Sequence, residues 1–428
     1  MGLWLCDEGQ EGAPEMKKLV PHASHWGAFL AEVEEGRLVG TRPFEHDPSP
    51  SALVEAWPEM VYSPLRITRP HVRKGYLAKD GGAGRGRDEY LPISWQEAFE
   101  LGAKALSDTR QKHGNSAISG GSYGWSSAGR VHHARNGLRR FLNAFGGAIY
   151  QWSNYSYGAA DAMVPHIVGE PEAMSAPLTE FSQIAQHGRM ILAFGGLPAK
   201  NWAVQSGGSG VHAHAGHMQA LIDAGIEVIT VSPYGGDHPE GVAGAWQKII
   251  PNSDTALMLA LMVQLDRDGT SDDDFLDRYT SGIDDLRAYL HGAKDGVAKG
   301  PEWAEALTGI PAAEIIALAR KLVANPVMLT ATWSLQRAEN GEQPFWALIA
   351  LAAMLGRIGL PGQGYAFGYG SMNGNGNAPY RTPFLACQAC RKIEICAPFR
   401  LHGSRICCCI PVKPTNLTVK PANILSST

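Results

Sequence analysis

The chain has 428 residues, which is enough for two or three domains with cores of their own. Its 37 basic and 41 acidic side chains give a formal net charge of −4, which argues against nucleic acid as the main partner. It contains no apolar run of the ~18 to 20 residues needed to span a bilayer. The N-terminus shows neither a secretory leader nor a twin-arginine pair, so we expect a cytoplasmic protein, or a periplasmic one if the start codon is misassigned.

Residues 1–95 are predicted to form a β-rich N-terminal region. Within it, the segment 25–44 has the alternating pattern of a β-hairpin. A helix is predicted from Ser94 to Arg110, because Ser94 and Glu97 have the spacing of a capping box. This helix leads into a predicted α/β region over residues 96–185.

Residues 186–377 alternate between apolar strands and helices, which indicates an α/β domain built on a doubly wound, mostly parallel sheet. Strands are predicted at 189–196, 227–236 and 326–334, and helices at 209–225 and 253–269. Ligands of such sheets bind beyond the carboxyl ends of the strands, so the candidate binding loops are 194–198, 232–236 and 333–337. These loops carry neither the GxGxxG dinucleotide motif nor a P-loop motif, which disfavours a nicotinamide dehydrogenase.

The segment 361–377, PGQGYAFGYGSMNGNGN, is rich in glycine and aromatic residues. Its composition is compatible with a flexible linker. A loop that covers a cofactor is equally compatible, because Tyr365, Phe367 and Tyr369 interleave with the glycines.

Seven segments, taken together and in this order, resemble the molybdopterin oxidoreductases of the dimethyl sulfoxide reductase family, in the branch that reduces biotin sulfoxide and trimethylamine N-oxide. They are HWGAF (25–29), MVYSPLRITRPHVRKGYL (60–77), SYGWSSAGR (122–130), NYSYGAADAMVPHIVG (154–169), FGGLPAKN (194–201), SDTALMLAL (253–261) and WSLQRAENGEQPFWALIALAAMLGRIGLPGQG (333–364). The resemblance implies that family's multi-domain α/β fold.

The resemblance also implies a bis(molybdopterin guanine dinucleotide) cofactor whose molybdenum takes one protein ligand, which falls on Ser156. High-valent molybdenum is a hard centre that suits an anionic oxygen, and a bound cation can deprotonate a hydroxyl. A serine in isolation would be read as a capping or turn residue. Trp125 matches a tryptophan whose indole N–H faces the oxygen at the metal, and Tyr123 matches a phenol that can bond the substrate oxide. Core packing is the alternative for both aromatic residues.

The same resemblance assigns the two dinucleotide arms to the loops of the sheet. One arm is expected at Gly195, Gly196 and Asn201. A guanosine is expected at Ser232, Pro233 and Asp254, where a carboxylate would accept hydrogen bonds from guanine or ribose. A pterin or phosphate edge is expected at Trp333, Ser334, Gln336 and Arg337, where Arg337 offers paired donors.

The implied reaction transfers an oxygen atom from a small S-oxide or N-oxide to reduced molybdenum, after which two electrons and two protons restore the enzyme. Related proteins with an iron–sulfur cluster carry cysteines near the N-terminus. In this chain only Cys6 precedes Cys387, so we expect no such cluster. Electrons would therefore come from a separate donor.

The tail over 378–428 does not continue the resemblance. Cys387 and Cys390 have the CxxC spacing of a zinc site, but the consecutive cysteines at 407–409 suit tetrahedral ligation poorly. Reading Gly403 to Lys420 in the neighbouring frame permits IADMLLHPGEAYEFDGK, which resembles the family's sequence after its glycine-rich loop. We therefore expect an out-of-frame tail and a missing C-terminal β domain, which normally closes over both pterins. Because that domain is missing, we expect weak or absent retention of the cofactor. The alternative to an active reductase is a truncated, catalytically inactive fragment of such an enzyme.

Overall fold

The computed structural model describes residues 17–121, 133–150, 155–169, 178–205, 208 and 210–377. Tyr123, Trp125 and the tail over 378–428 lie outside the described residues. The described chain divides into two compact units. The first contains residues 17–68, 133–137 and 155–377, and the second contains residues 69–121 and 138–150. Among the described helices, none combines the length and the apolarity needed to span a bilayer.

The first unit begins with a three-stranded antiparallel sheet. Its strands are β1 (Lys18–Ser24), β2 (Gly27–Glu34) and β3 (Arg37–Pro43). Glu35 and Gly36 join β2 to β3 with φ angles of 48° and 72°, the left-handed conformation of a tight hairpin turn. The predicted hairpin is therefore confirmed. Helix α1 (Trp57–Tyr62) packs on β3.

The second unit is small, and its longest element is a helix with no fully buried residue. Its elements are β4 (His71–Arg73), α2 (Lys74–Leu77), β5 (Tyr90–Pro92), α3 (Trp95–His113) and most of α4 (Ala134–Ala144). The predicted capping box is present: the Ser94 hydroxyl accepts from the Glu97 amide, and the Glu97 carboxylate accepts from the Ser94 amide. Local signals of this kind stabilise a helix by about 1 kcal/mol each.

A five-stranded parallel sheet forms the centre of the first unit. Its strands are β6 (Met190–Phe194), β7 (Glu227–Ser232), β8 (Gly244–Lys248), β9 (Val327–Ala331) and β10 (Gly364–Phe367), in the order β10-β9-β6-β7-β8. The predicted doubly wound α/β sheet is confirmed. Chain order reverses between β6 and β9, and the crevice at such a switch point is where ligands of these sheets bind.

Helices cover both faces of this sheet. Along β6, Met190, Leu192 and Phe194 face one apolar cluster, and Ile191 and Ala193 face the other. One face is covered by α6 (Phe181–His187) and α7 (His214–Asp223). The other is covered by α5 (Gly158–Val168), α8 (Asp254–Asp268), α9 (Asp273–Tyr279), α10 (Ile283–Leu290), α11 (Pro301–Thr308), α12 (Ala312–Ala324) and α13 (Gln343–Met354). Burying each large apolar side chain contributes about 1.5–3 kcal/mol.

The prediction of a loop throughout 361–377 is wrong in part. Residues Gly364–Phe367 form β10 and pair with β9 in parallel register. Tyr369 is fully buried, and its hydroxyl donates to the carbonyl of Thr179. This segment is therefore an integral edge of the sheet, held by ladder hydrogen bonds and by the burial of Ala366, Phe367 and Tyr369 in the core.

Candidate functional site

The loops at the carboxyl ends of β6, β7 and β9 approach one another closely at two glycines. Gly195 and Gly196 have φ angles of +83° and +79°. A Cβ on Gly195 would lie 2.1 Å from Thr332 Oγ1, and a Cβ on Gly196 would lie 2.4 Å from the backbone oxygen of Asp237. Only glycine fits both positions. The amide of Gly195 already donates to the carbonyl of Val231 at 2.7 Å, so this residue supplies close approach rather than a free donor.

Ser156 lies in a turn two residues before α5 begins. One side chain from the loop after β9 holds this turn. Gln336 Oε1 accepts from the amide of Ala159 at 2.9 Å, and Gln336 Nε2 donates to the carbonyl of Tyr155 at 2.7 Å. The first amides of a helix have no partner inside the helix and carry its positive dipole end. The local field at Ser156 therefore favours an anionic oxygen.

Trp333 packs against the Ser156 turn through the ring of Tyr157. Its side chain is buried and packs on Tyr157, Phe345 and Phe367, with ring centroids 5.4, 6.0 and 6.0 Å apart. Trp333 is thus part of the apolar core next to the Ser156 turn. Its predicted contact with a cofactor stays a prediction.

Ser334 and Arg337 follow Trp333 on the same loop, and both are exposed. The Ser334 hydroxyl shares a hydrogen bond of 2.8 Å with Thr332 Oγ1. Among the described residues, the Arg337 guanidinium has neither a hydrogen bond nor an ion pair. Its exposed donors are therefore available to a ligand.

Ser232 is the last residue of β7, and Pro233 follows it. The Ser232 hydroxyl is used in hydrogen bonds within this loop. It donates to Asp237 Oδ2 at 2.6 Å and accepts from the amide of Tyr234 at 3.2 Å. Pro233 is exposed. Asp237 also pairs with Lys200 at 3.1 Å, which joins this loop to the one after β6. Sequence reasoning did not single out Asp237, although a carboxylate directly after two glycines was an available signal.

Asn201 and Asp254 occupy two other places along this edge. Asn201 Nδ2 donates to the carbonyl of Gly370 at 2.9 Å, so its amide joins the loops after β6 and β10. Asp254 opens α8 after the edge strand β8, and the described contacts do not connect it to the other candidates. Burial raises the pKa of its carboxyl to about 6, and no cationic side chain among the described residues pairs with it.

Two family descriptions match this sequence. "Molybdopterin oxidoreductase" matches residues 66–395, which extends past Asn377, where we expected the resemblance to stop. "Molybdopterin oxidoreductase N-terminal domain" matches residues 22–62.

Several curated proteins are similar to the chain. A biotin sulfoxide reductase of Cereibacter sphaeroides is 43 % identical over 345 residues, covering 80 % of this chain and 46 % of the relative. A dimethyl sulfoxide/trimethylamine N-oxide reductase of the same organism is 37 % identical over 357 residues, with 82 % and 43 % covered. A trimethylamine-N-oxide reductase of Haemophilus influenzae is 34 % identical over 366 residues, with 84 % and 44 % covered. The chain thus spans less than half the length of these relatives.

Among solved structures, acetylene hydratase from Pelobacter acetylenicus is similar with a TM-score of 0.53 and 18 % identity. The likeness covers 77 % of this chain and 42 % of that one. At this identity, the likeness concerns the fold alone.

Proposed function

The chain belongs to the molybdopterin oxidoreductase family, and on that premise we propose that it removes an oxygen atom from S-oxides or N-oxides at a molybdenum cofactor. The observation that carries the proposal is the placement of Ser156, just before the N-terminus of α5 and clamped to the loop after β9. The names of the relatives, which refer to biotin sulfoxide, dimethyl sulfoxide and trimethylamine N-oxide, support this substrate class.

Three features of the described residues fit a bis(molybdopterin guanine dinucleotide) cofactor. The Ser156 hydroxyl lies at a helix end that favours an anionic oxygen ligand. The glycine pair at 195–196 lets the loops after β6, β7 and β9 pack closely together at the edge of the sheet where ligands of such sheets bind. The buried carboxylate of Asp254 has no cationic partner, so it suits the N–H donors of a guanine.

Four of the candidate residues take roles at the metal, the substrate oxide and the phosphate or pterin edge in this proposal. Ser156 is the metal ligand, and Tyr123 and Trp125 orient the substrate oxide. The exposed guanidinium of Arg337 binds a phosphate or pterin edge through paired donors. Bound there, the cofactor supplies the two-electron redox chemistry that the side chains of this chain lack.

The electrons for each turnover come from an external donor in this proposal, without an iron–sulfur cluster in the chain. The support is that only Cys6 precedes Cys387, whereas cluster-bearing relatives carry a cysteine set near the N-terminus. Iron and acid-labile sulfide analysis of the purified protein tests this point, and stoichiometric iron would contradict it.

Molybdenum and pterin content of the purified 428-residue protein, measured beside dye-linked reduction of biotin sulfoxide and trimethylamine N-oxide, tests the proposal. Bound molybdenum and oxide-dependent oxidation of the dye are the outcomes that would support the proposal. Protein that is folded but free of molybdenum, after expression in a host that makes the cofactor, would leave the inactive fragment as the better description.

Replacing Ser156 by alanine removes the proposed metal ligand. Loss of a residue that only supports a metal ligand costs 10–100-fold, so we expect Ser156→Ala to lower the rate of oxide reduction by more than about 100-fold. The matched control is Ser182→Ala, an exposed serine bonded to Glu180 on α6, which is expected to keep the wild-type rate. Equal rates in Ser156→Ala and the wild type would refute the ligand assignment.

A further inference from the structure

A single amide side chain brackets Ser156 on both sides. Gln336 accepts from Ala159 N at 2.9 Å and donates to Tyr155 O at 2.7 Å, and these partners lie 177 and 181 residues away in sequence. Ser156 stands between the two backbone groups. The conformation of its turn is therefore tied to the end of β9.

One of the two backbone groups that Gln336 bonds is an amide for which helix α5 itself provides no acceptor. Ala159 N belongs to the first turn of α5, where amides have no intrahelical acceptor. The N-cap residue Tyr157 does not cap the helix with its side chain, and its ring packs on Trp333 instead. Gln336 thus serves as a cap supplied from a distant segment.

The base of this clamp is rigid. Gln336 ends a short 3-10 turn, Trp333–Gln336, whose first residue is buried against Phe345 and Phe367. The amide of Arg337 closes the turn onto the carbonyl of Ser334 at 3.0 Å. Serine has one rotatable side-chain bond, so fixing its backbone restricts the hydroxyl to a few staggered positions.

From this geometry we infer that Gln336 is the positioning residue that presents the Ser156 hydroxyl to its ligand site. The fit of a glutamine follows from chemistry: Ala159 N requires an acceptor and Tyr155 O requires a donor, and an amide offers the two on separate atoms of one planar group. Glutamate would keep the first bond and oppose the second. The ordering of the turn stands on contacts within the chain, and its consequence for a metal rests on the proposed function.

Amide hydrogen exchange of the purified protein tests the ordering without any cofactor. In Gln336→Met, which removes both bonds, we expect the Ala159 amide to exchange at least about tenfold faster, with no change in the buried helix α8. Gln336→Glu is expected to give an intermediate rate. The matched control is Gln219→Met on α7, which removes a side-chain bond to Asp223 and leaves the Ala159 rate unchanged.

The inference would be overturned if the Ala159 amide of Gln336→Met exchanged at the wild-type rate. It would also be overturned if the amides of α8 exchanged faster by the same factor as Ala159. If the methionine variant does not fold, the glutamate variant decides between the same outcomes. These results do not depend on metal content.

X-ray absorption of protein loaded with molybdenum tests the consequence for the ligand. At equal metal content, we expect the oxygen ligand contributed by Ser156 to be lost or variable in distance in Gln336→Met and partly recovered in Gln336→Glu. An unchanged oxygen ligand would overturn the positioning role. Wild-type protein without molybdenum would overturn the proposed function alone, and the exchange rates would then decide whether Gln336 orders the turn.

Discussion

Two aspartates of the first unit are almost equally buried, yet their surroundings are opposite. Asp47 is 7 % exposed and Asp254 is 9 % exposed. Asp47 pairs with the ring of His212 at 2.7 Å and accepts from the amides of His212 at 2.8 Å and Ser49 at 3.1 Å. Asp254 has no cationic partner among the described residues, and burial raises the pKa of its carboxyl to about 6.

The difference separates a structural acid from a candidate binding acid. The carboxylate of Asp47 is held by hydrogen bonds inside the chain, where it joins the segment after β3 to the residues before α7. Burial disfavours the charge of Asp254, so a hydrogen-bond donor from a ligand would stabilise it. In the proposed function, that donor is the guanine of the cofactor.

Removing the Asp47 charge is the strongest test of this contrast. Removing the carboxylate of this buried pair leaves the hydrogen-bond donors of His212 uncompensated and costs roughly 3–5 kcal/mol. We therefore expect Asp47→Asn to lower the free energy of unfolding by about this amount, measured by urea denaturation at pH 7. The matched control is Glu45→Gln, which removes the exposed pair of Glu45 with His46 and should cost less than about 1 kcal/mol. Equal losses of unfolding free energy in Asp47→Asn and Glu45→Gln would contradict the structural role of Asp47.

Removing the Asp254 charge should raise the free energy of unfolding, whereas removing the Asp47 charge should lower it. The folded-state pKa of about 6 lies above the ordinary value of 3.8, so the folded chain binds the proton more tightly and loses stability as pH rises through about 6. We expect Asp254→Asn to gain about 2–3 kcal/mol near pH 8 and little near pH 4. Thermal unfolding of cofactor-free protein across this range measures it, and a gain that does not vary with pH would contradict the explanation.

The smallest effect concerns His214, which lies near the Asp47–His212 pair. Burial, followed by the neighbouring His212 and His217, lowers the pKa of His214 from 6.5 to about 4. Its contribution to stability is therefore complete above pH 6.5 and is lost as pH falls towards 4. His214→Phe keeps a ring against Trp202 and should flatten the fall of Tm between pH 7 and 5. The exposed His46, replaced in the same way, should leave that slope unchanged.

The sequence predicted those strands that are buried on both faces. Strands β6, β7 and β9 are continuous apolar runs, and α8 is apolar over most of its surface, so composition alone indicated them. Strands β8 and β10 were not predicted. β8 has an exposed pattern, and β10 lies in a glycine-rich segment, so only their pairing with β7 and β9 makes them strands.

The sequence likewise predicted some features of the candidate site and not others. The family motif indicated Ser156, Asp254 and Gln336 as polar residues near a cofactor. The clamp between Gln336 and the Ser156 turn joins segments 177–181 residues apart, and no local pattern encodes such a contact. The raised pKa of Asp254 likewise depends on what surrounds it in the folded chain rather than on its neighbours in sequence.

The separation in sequence between Gln336 and the Ser156 turn also has a consequence for the order of events during synthesis. At roughly 5–20 residues per second, the Ser156 turn is made about 10–40 s before Gln336. During that interval the turn lacks the two hydrogen bonds that fix it. The turn is therefore completed only after β9 has joined the sheet. In the proposed function, a cofactor would then enter at Ser156 after this domain has folded, and it would not guide that folding.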